Sequence, residues 1–280
     1  MGFRINTNID SIAGTNNLSQ TNSRLSNNFS RLSSGLRINK AADDAAGLGV
    51  SESLRSQIKG FNQAVRNTND GIGILQTAEG ALNEIQGNLG RLRELAVQSA
   101  SGTLQDSERA FINTEADALI EEIDRLSNVT QFNGRVLLNG ASSAGTGTIT
   151  LDVQVGIFST TDDEISISIS SAHSIALGVN GISLNSSSGA SSALDSLDDA
   201  IDTVSSIRSS IGATQNRLNS ALANLQSSVE NLSSAESQIR DVDFATETAD
   251  LSRNQILQQA GISVLSQANS SSQSVLSLLG

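Results

Sequence analysis

Residues 194–239 read LDSLDDAIDTVSSIRSSIGATQNRLNSALANLQSSVENLSSAESQI, and this stretch decides the fold. Leu197, Val204, Ile211, Leu218, Leu225, Leu232 and Ile239 recur every seven positions. A second row, Leu194, Ile201, Leu222 and Val229, is interrupted by Arg208, Gln215 and Glu236. The two rows make an apolar stripe along one side of a helix. No proline interrupts it, and its single glycine is Gly212. At 1.5 Å per residue such a helix is a rod of roughly 70 Å. That is far longer than an ordinary core helix. Burying each large apolar residue is worth roughly 1.5–3 kcal/mol, so the stripe requires a long partner.

Composition agrees with thin helical layers. The 280 residues contain no Trp, no Tyr, no Pro and no Cys, and aromatic residues make up 2%. A compact globule of this size normally carries more aromatic bulk. The absence of cysteine excludes disulfides and thiolate metal sites. The absence of proline suits uninterrupted helix. His173 is the one histidine, so a multi-histidine metal site is excluded. The sequence has no His-Glu-x-x-His motif, phosphate loop or cysteine nucleophile, and no enzyme or cofactor is expected. A net charge of −12 argues against nucleic acid as a partner. No run of 18 apolar residues exists, so membrane insertion is not expected. Met1 to Asn6 lacks a basic region followed by an apolar run, so no cleaved secretory signal is expected.

Outward from the deciding stretch, apolar residues at Ile5, Ile9, Ile12, Leu18, Leu25, Phe29 and Leu32 predict an amphipathic helix near 5–32. Its other faces are rich in Asn, Ser and Thr, which are poor helix formers, so alone in water it is marginal. Gly35 and Gly47 bracket a connector, and Asp43 and Asp44 are candidate caps for the next helix. Residues 48–100 repeat apolar positions at spacings of 3, 4 and 7, from Leu54 and Ile58 to Leu92 and Ala96. Gly71, Gly73, Gly80, Gly87 and Gly90 lie within it and imply close backbone approach or bending. A shorter helix follows near 105–128, and three heptad helices can enclose one seam. Thr148–Val155 and Glu164–Ser170 alternate with period two and predict strands half-buried on the helices. Ser186 to Gly189 reads as a linker.

Residues 240–280 mirror the start. Leu257, Ala260, Val264 and Ala268 share one face, and Val275, Leu276, Leu278 and Leu279 close the chain. No charged side chain occurs from Asn254 to Gly280. Such an end sticks to something in water. Arg31, Arg37 and Lys40 face the acids of 241–250 if the chain folds back on itself. The fold class is therefore mainly α: a long antiparallel helical hairpin or coiled-coil bundle with a small β-hairpin region in mid-chain.

Several motifs sharpen this reading. Ile5-Asn6-Thr7-Asn8, Arg31 to Asn39 (RLSSGLRIN) and Ala41 to Gly47 (AADDAAG) resemble the N-terminal signature of bacterial flagellin, as do Arg91 to Gln98 (RLRELAVQ) and Gln131-Phe132-Asn133-Gly134. Glu236 to Asp243 (ESQIRDVD) and Val275 to Leu279 resemble its C-terminal signature. The family often carries a proline between its last helix segments, whereas this chain reads Asn269-Ser270-Ser271-Ser272-Gln273.

The resemblance implies an inner coiled coil of 1–44 and 239–280, a helical layer of 45–140 and 193–238, and a β-hairpin segment at 141–192, with no large outer domain. It implies a structural subunit that polymerises into the flagellar filament for swimming, outside the cell, after type III export. Ile5, Ile9, Ile12, Leu18, Leu25, Phe29, Leu32, Leu257, Val264, Val275, Leu278 and Leu279 are the expected polymerisation residues. Implied partners are copies of the chain itself, an export chaperone on the C-terminal helix, hook-associated and cap proteins, and a Toll-like receptor reading Arg91, Leu95 and Glu115. The competing readings are a hook–filament junction protein and a non-polymerising secreted coiled-coil protein.

Overall fold

A computed structural model describes residues 7–140 and 145–277, with side-chain surroundings to residue 271. The elements in chain order are α1 (Ile9–Ser34), α2 (Ala45–Ala100), α3 (Asp106–Val129), β1 (Gln131–Phe132), β2 (Arg135–Val136), β3 (Thr148–Gln154), β4 (Glu164–Ser170), α4 (Ser187–Arg240) and α5 (Phe244–Ser277). The chain divides into two compact units, Met1–Ser56 with Asn231–Gly280, and Gln57–Glu230.

The unit Gln57–Glu230 holds a core of aliphatic side chains. From α2, Leu75, Ala78, Leu82, Ile85, Leu89 and Leu92 are buried. From α4 the heptad row Leu197, Val204, Ile211, Leu218 and Leu225 is buried as the sequence predicts. The second buried row of α4 differs from the expected one. It is Ala193, Ala200 and Ile207, while Leu194 and Ile201 are only partly covered. Ala193 and Ala200 carry small side chains that are covered, so the space available beside them is limited.

Two of the three residues that interrupt the predicted row, Arg208 and Gln215, serve as cross-links. Arg208 donates to Gln86, and Gln215 Nε2 donates to Glu79 Oε2 at 3.1 Å. With Arg93 on Asp198 and Ser187 on the carbonyl of Ala100, these contacts run α4 antiparallel to α2. The predicted linker at 186–189 is instead a helix start. Ser186 Oγ accepts the N–H of Gly189, and α4 begins at Ser187. A short polar run reads alike as linker or cap until its partners are known.

α3 packs Ile112, Ala116 and Ile123 inward. Arg109 is buried beside them. Its Nε and Nη2 donate to the carbonyls of Ser99 and Ser101, both at 2.9 Å, where α2 ends. Those carbonyls have no partner within the helix, and a cation there also suits the negative end of the helix dipole. Asn133 (φ 49°) and Gly134 (φ 78°) form the tight two-residue turn between β1 and β2. The pair β3–β4 is antiparallel, with Ile149 opposite Ile169, Leu151 opposite Ile167 and Val153 opposite Ile165. All but Leu151 of these six are buried, and the alternate positions carry Thr, Ser and Asp outward. Both strands lie within the segments the alternation predicts.

In the other unit, α1 ends at Gly35 in the left-handed conformation (φ 71°). The connector is stitched to the segment before α5. Arg37 N–H donates to Arg240 O at 2.7 Å, Val242 N–H donates to Gly35 O at 3.0 Å, and Arg37 Nη2 donates to Ile239 O at 2.6 Å. The two candidate caps divide their work. Asp44 Oδ1 accepts the N–H of Gly47 and caps α2, whereas Asp43 accepts the N–H groups of Asn39 and Lys40 in the preceding turn. α5 is continuous through 269–273, as a stretch without proline permits.

Candidate self-association surface

α1 and α5 pair antiparallel. Asn8 Nδ2 donates to Ala268 O at 3.3 Å, and Gln258 Nε2 donates to Asn22 Oδ1 at 2.8 Å. Arg31 lies 3.8 Å from Glu247. Of the expected charge contacts, Arg31 meets an acid, but Arg37 meets a backbone carbonyl. Between these points Leu265 packs on Gly14 and Leu18 packs on Gly261. The seam on α5 thus runs through Glu247, Asn254, Gln258, Gly261, Leu265 and Ala268, spaced mostly three and four apart. It is a largely polar and small-residue seam, closed by a few leucines. Seams of this kind fix register and contribute little burial energy.

The expected apolar stripe of α1 splits accordingly. Leu18, Leu25 and Leu32 turn toward the pair and are partly covered. Ile9, Ile12 and Phe29 remain exposed. Of the α5 row read from the sequence, Leu257, Ala260 and Val264 lie beside the seam and are exposed, whereas Ala268 lies in it and is partly covered. Ile256 and Ile262 are exposed as well. Sequence reasoning missed Ile256 and Ile262, which lie off the 3-4 row it followed. Ile5, Leu278 and Leu279 lie outside the described residues, and α5 reaches Val275, whose side-chain surroundings lie outside them too.

The three residues expected to be read by a receptor separate by burial. Arg91 Nε and Nη2 donate to Glu115 Oε1 at 2.9 and 2.8 Å, and Arg91 Nη1 donates to Glu94 Oε2 at 2.9 Å. The hydrogen bonds it donates to Glu115 and then Glu94 raise the guanidinium above its ordinary range. Leu95 is 1% exposed and belongs to the core beneath them. Arg91 and Glu115 are thus open to solvent at this face, whereas Leu95 is not.

Among the described residues, no group of three or more His, Asp or Glu side chains is arranged to hold a metal. No described helix is long and apolar enough to cross a membrane. Long helices, a small antiparallel hairpin and uncovered apolar rows on the end helices define an α-helical structural protein. The bacterial flagellin N-terminal helical region matches residues 5–143, and the bacterial flagellin C-terminal helical region matches residues 194–279. The chain belongs to the bacterial flagellins, in a short form. Flagellin FlaB2 of Treponema pallidum is 41% identical, over 98% of this chain and 99% of that protein. Flagellin of Bacillus subtilis is 43% identical, over 99% of this chain and 100% of that protein. The crystal structure of Bacillus cereus flagellin aligns over 57% of this chain and 88% of that chain, with a TM-score of 0.50 and 28% identity. The protein is thus a structural subunit of the flagellar filament, an extracellular appendage, and not an enzyme.

Proposed function

We propose that the uncovered rows of α1 and α5 form the surface through which copies of this chain stack into the filament. One observation carries the reading. Ile9, Ile12, Phe29, Ile256, Leu257, Ile262 and Val264 are each between 48% and 66% exposed although α1 and α5 are already paired. An open helical polymer needs one surface of a copy to meet a different surface of the next. Rows left free after internal pairing supply such surfaces. Ile5, Val275, Leu278 and Leu279 extend the same composition along the chain and are assigned to the same role. Segments 1–44 and 239–280 are then the inner layer of the filament. Segments 45–140 and 193–238 are the next layer outward, and 141–192 packs on it. The test is deletion of 1–32 or of 251–280. Either deletion is expected to leave a soluble, folded core unable to polymerise, and filaments growing normally from either would defeat the assignment.

The nearly uncharged end of α5 also suits an export chaperone, which would cover the exposed row before assembly. A chain free of disulfides and proline suits passage in unfolded form through a narrow export channel. The same end rows are assigned to contacts with hook-associated and cap proteins, since those contacts continue the stacking of copies. Arg91 and Glu115, held by Leu95 beneath, are the face assigned to a Toll-like receptor.

A further inference from the structure

Asn-Gly occurs three times in the chain, at Asn133-Gly134, Asn139-Gly140 and Asn180-Gly181. The pair has a chemistry of its own. Glycine has no side chain to shield its backbone nitrogen, so that nitrogen reaches the side-chain carbonyl carbon of the preceding asparagine. Closing the five-membered ring turns the asparagine backbone out of a tight-turn conformation. The hydrogen bonds and contacts that hold the turn therefore have to open first, and their strength ranks the three sites.

Two of the sites are held. Asn133 and Gly134 are exposed, but they close a hairpin in which Phe132 pairs with Arg135 and Gln131 with Val136. Just beyond these pairs, Leu137 N–H donates to Thr130 O at 3.0 Å. Asn139 and Gly140 are half-buried. The carbonyl of Leu138 before them accepts the Ala172 N–H at 2.9 Å and the hydroxyls of Ser127 at 2.7 Å and Ser171 at 3.2 Å. At Gly140 the Thr146 carbonyl and Ser171 Cβ crowd the backbone. Asn180 and Gly181 differ. Both are exposed, at the centre of a turn that, among the described residues, one hydrogen bond closes, from Ile182 N–H to Val179 O at 3.4 Å. That is longer than such a bond usually is. A Cβ on Gly181 would meet nothing within 4 Å. Val179 and Leu184 on either side are buried, so opening stays local to the tip.

We infer that Asn180-Gly181 is a site of spontaneous covalent modification, and the first of the three to react. Gly181 N attacks Asn180 Cγ. The new N–C bond forms as the C–N bond of the side-chain amide breaks, and ammonia leaves with the proton of the Gly181 N–H. Water then adds to one of the two carbonyls of the cyclic imide and opens the ring, to aspartate or, at the backbone carbonyl, to isoaspartate. Water is the one co-reactant. Either product adds a negative charge to a chain that carries −12. Isoaspartate also lengthens the main chain by one carbon in the connection that leads into α4 at Ser187. The converted fraction rises with time and so records the age of a copy.

The experiment ages the purified full-length chain in mildly alkaline buffer made with heavy-oxygen water. Peptide masses then read the label and the fraction converted at each Asn-Gly. Asn180 is expected to convert about tenfold faster than Asn133 or Asn139, since the net worth of one hydrogen bond corresponds to roughly that factor in rate. In urea the three rates are expected to converge, because no turn is left to open. Gly181→Ala is expected to slow conversion at Asn180 severalfold at an unchanged thermal melt, and Asn180→Gln to remove it. Conversion at Asn133 or Asn139 as fast as at Asn180 in the folded chain would overturn the inference, as would an unchanged gap between the sites in urea. Absence of label at Asn180 in the folded chain, once the denatured chain is labelled, would do the same.

Discussion

Leu265 occupies the space that Gly14 leaves open: a Cβ on Gly14 would stand 3.2 Å from Leu265 Cδ1. Its counterpart is looser, for a Cβ on Gly261 would stand 3.4 Å from Leu18 Cδ1. The two contacts together hold α1 and α5 in register. Overpacking the tighter one costs roughly 1–3 kcal/mol. Gly14→Leu is therefore expected to destabilise the α1–α5 pair and to impair filament growth. Gly261→Ala fits in ordinary contact and gains up to about 1 kcal/mol of helix propensity, so it is expected to preserve growth. Helix content against temperature and seeded elongation of the two variants check this.

The glycines of α2 behave as two classes. At Gly71 a Cβ would meet Val153 Cγ2 at 3.2 Å and both Ile167 and Leu218 at 3.5 Å, so close approach of the hairpin and α4 explains that glycine. At Gly80, Gly87 and Gly90 a Cβ would meet nothing within 4 Å. Alanine at each of these three is expected to raise stability by up to about 1 kcal/mol, while Gly71→Ala is expected to give no such gain. Denaturant unfolding of the four single variants measures this. If the three open glycines provide compliance for a change of filament waveform, the triple alanine variant is also expected to lock one waveform under changing salt and pH.

Burial separates structural from recognition effects at the proposed receptor face. Leu95→Ala removes a fully buried side chain and is expected to cost roughly 2–5 kcal/mol. Arg91→Ala removes exposed ion pairs and is expected to cost at most about 1 kcal/mol. A receptor reporter assay on purified monomer is expected to lose its response with Arg91→Ala at an unchanged melt. A full response would remove Arg91 from the proposed face.

Two carboxylates confer a pH dependence on the unit holding the end helices. The Thr246 hydroxyl, then the N–H groups of Ala245 and Thr246, hold the Asp243 carboxyl below its usual range at the start of α5. The N–H groups of Lys40 and Asn39 do the same for Asp43. A carboxyl with a depressed folded value stabilises fully above its unfolded value of about 3.9 and loses that contribution as pH falls through the folded value. The thermal midpoint of this unit is therefore expected to fall on acidification below about pH 4. Asp243→Asn is expected to lower the midpoint at pH 7 and to narrow its gap from wild type as the acid range is entered. Circular dichroism melts across pH check both.

Much of the architecture is legible in the sequence because heptad spacing and strict alternation are geometric signals. Leu197 to Leu225 and Ile149 to Ile169 are placed where those periods put them. What periodicity cannot weigh is size and orientation. Ala193 and Ala200 look neutral in a hydrophobicity reading, yet both are buried. On α5 the bulkier row, Leu257 and Val264, attracts the eye, but the seam runs through Gly261, Gln258 and Asn254. The sequence predicts that the apolar face of the end helices finds its cover in other copies, but periodicity does not show which row pairs α1 with α5. Here the row Ile256, Leu257, Ile262 and Val264 is left open, which is the basis of the proposed stacking surface. Arg109 and Ser186 escaped notice for a related reason, because their roles depend on which carbonyls and N–H groups end nearby.

Amide hydrogen exchange of residues 9–34 and 244–270, in monomer and in assembled filament, tests most directly whether the end helices depend on other copies for cover. The expected result is rapid exchange in the monomer, where polar seams and open apolar rows leave α1 and α5 weakly held, and strong protection in the filament. Equal, strong protection in the monomer and the filament would contradict the account.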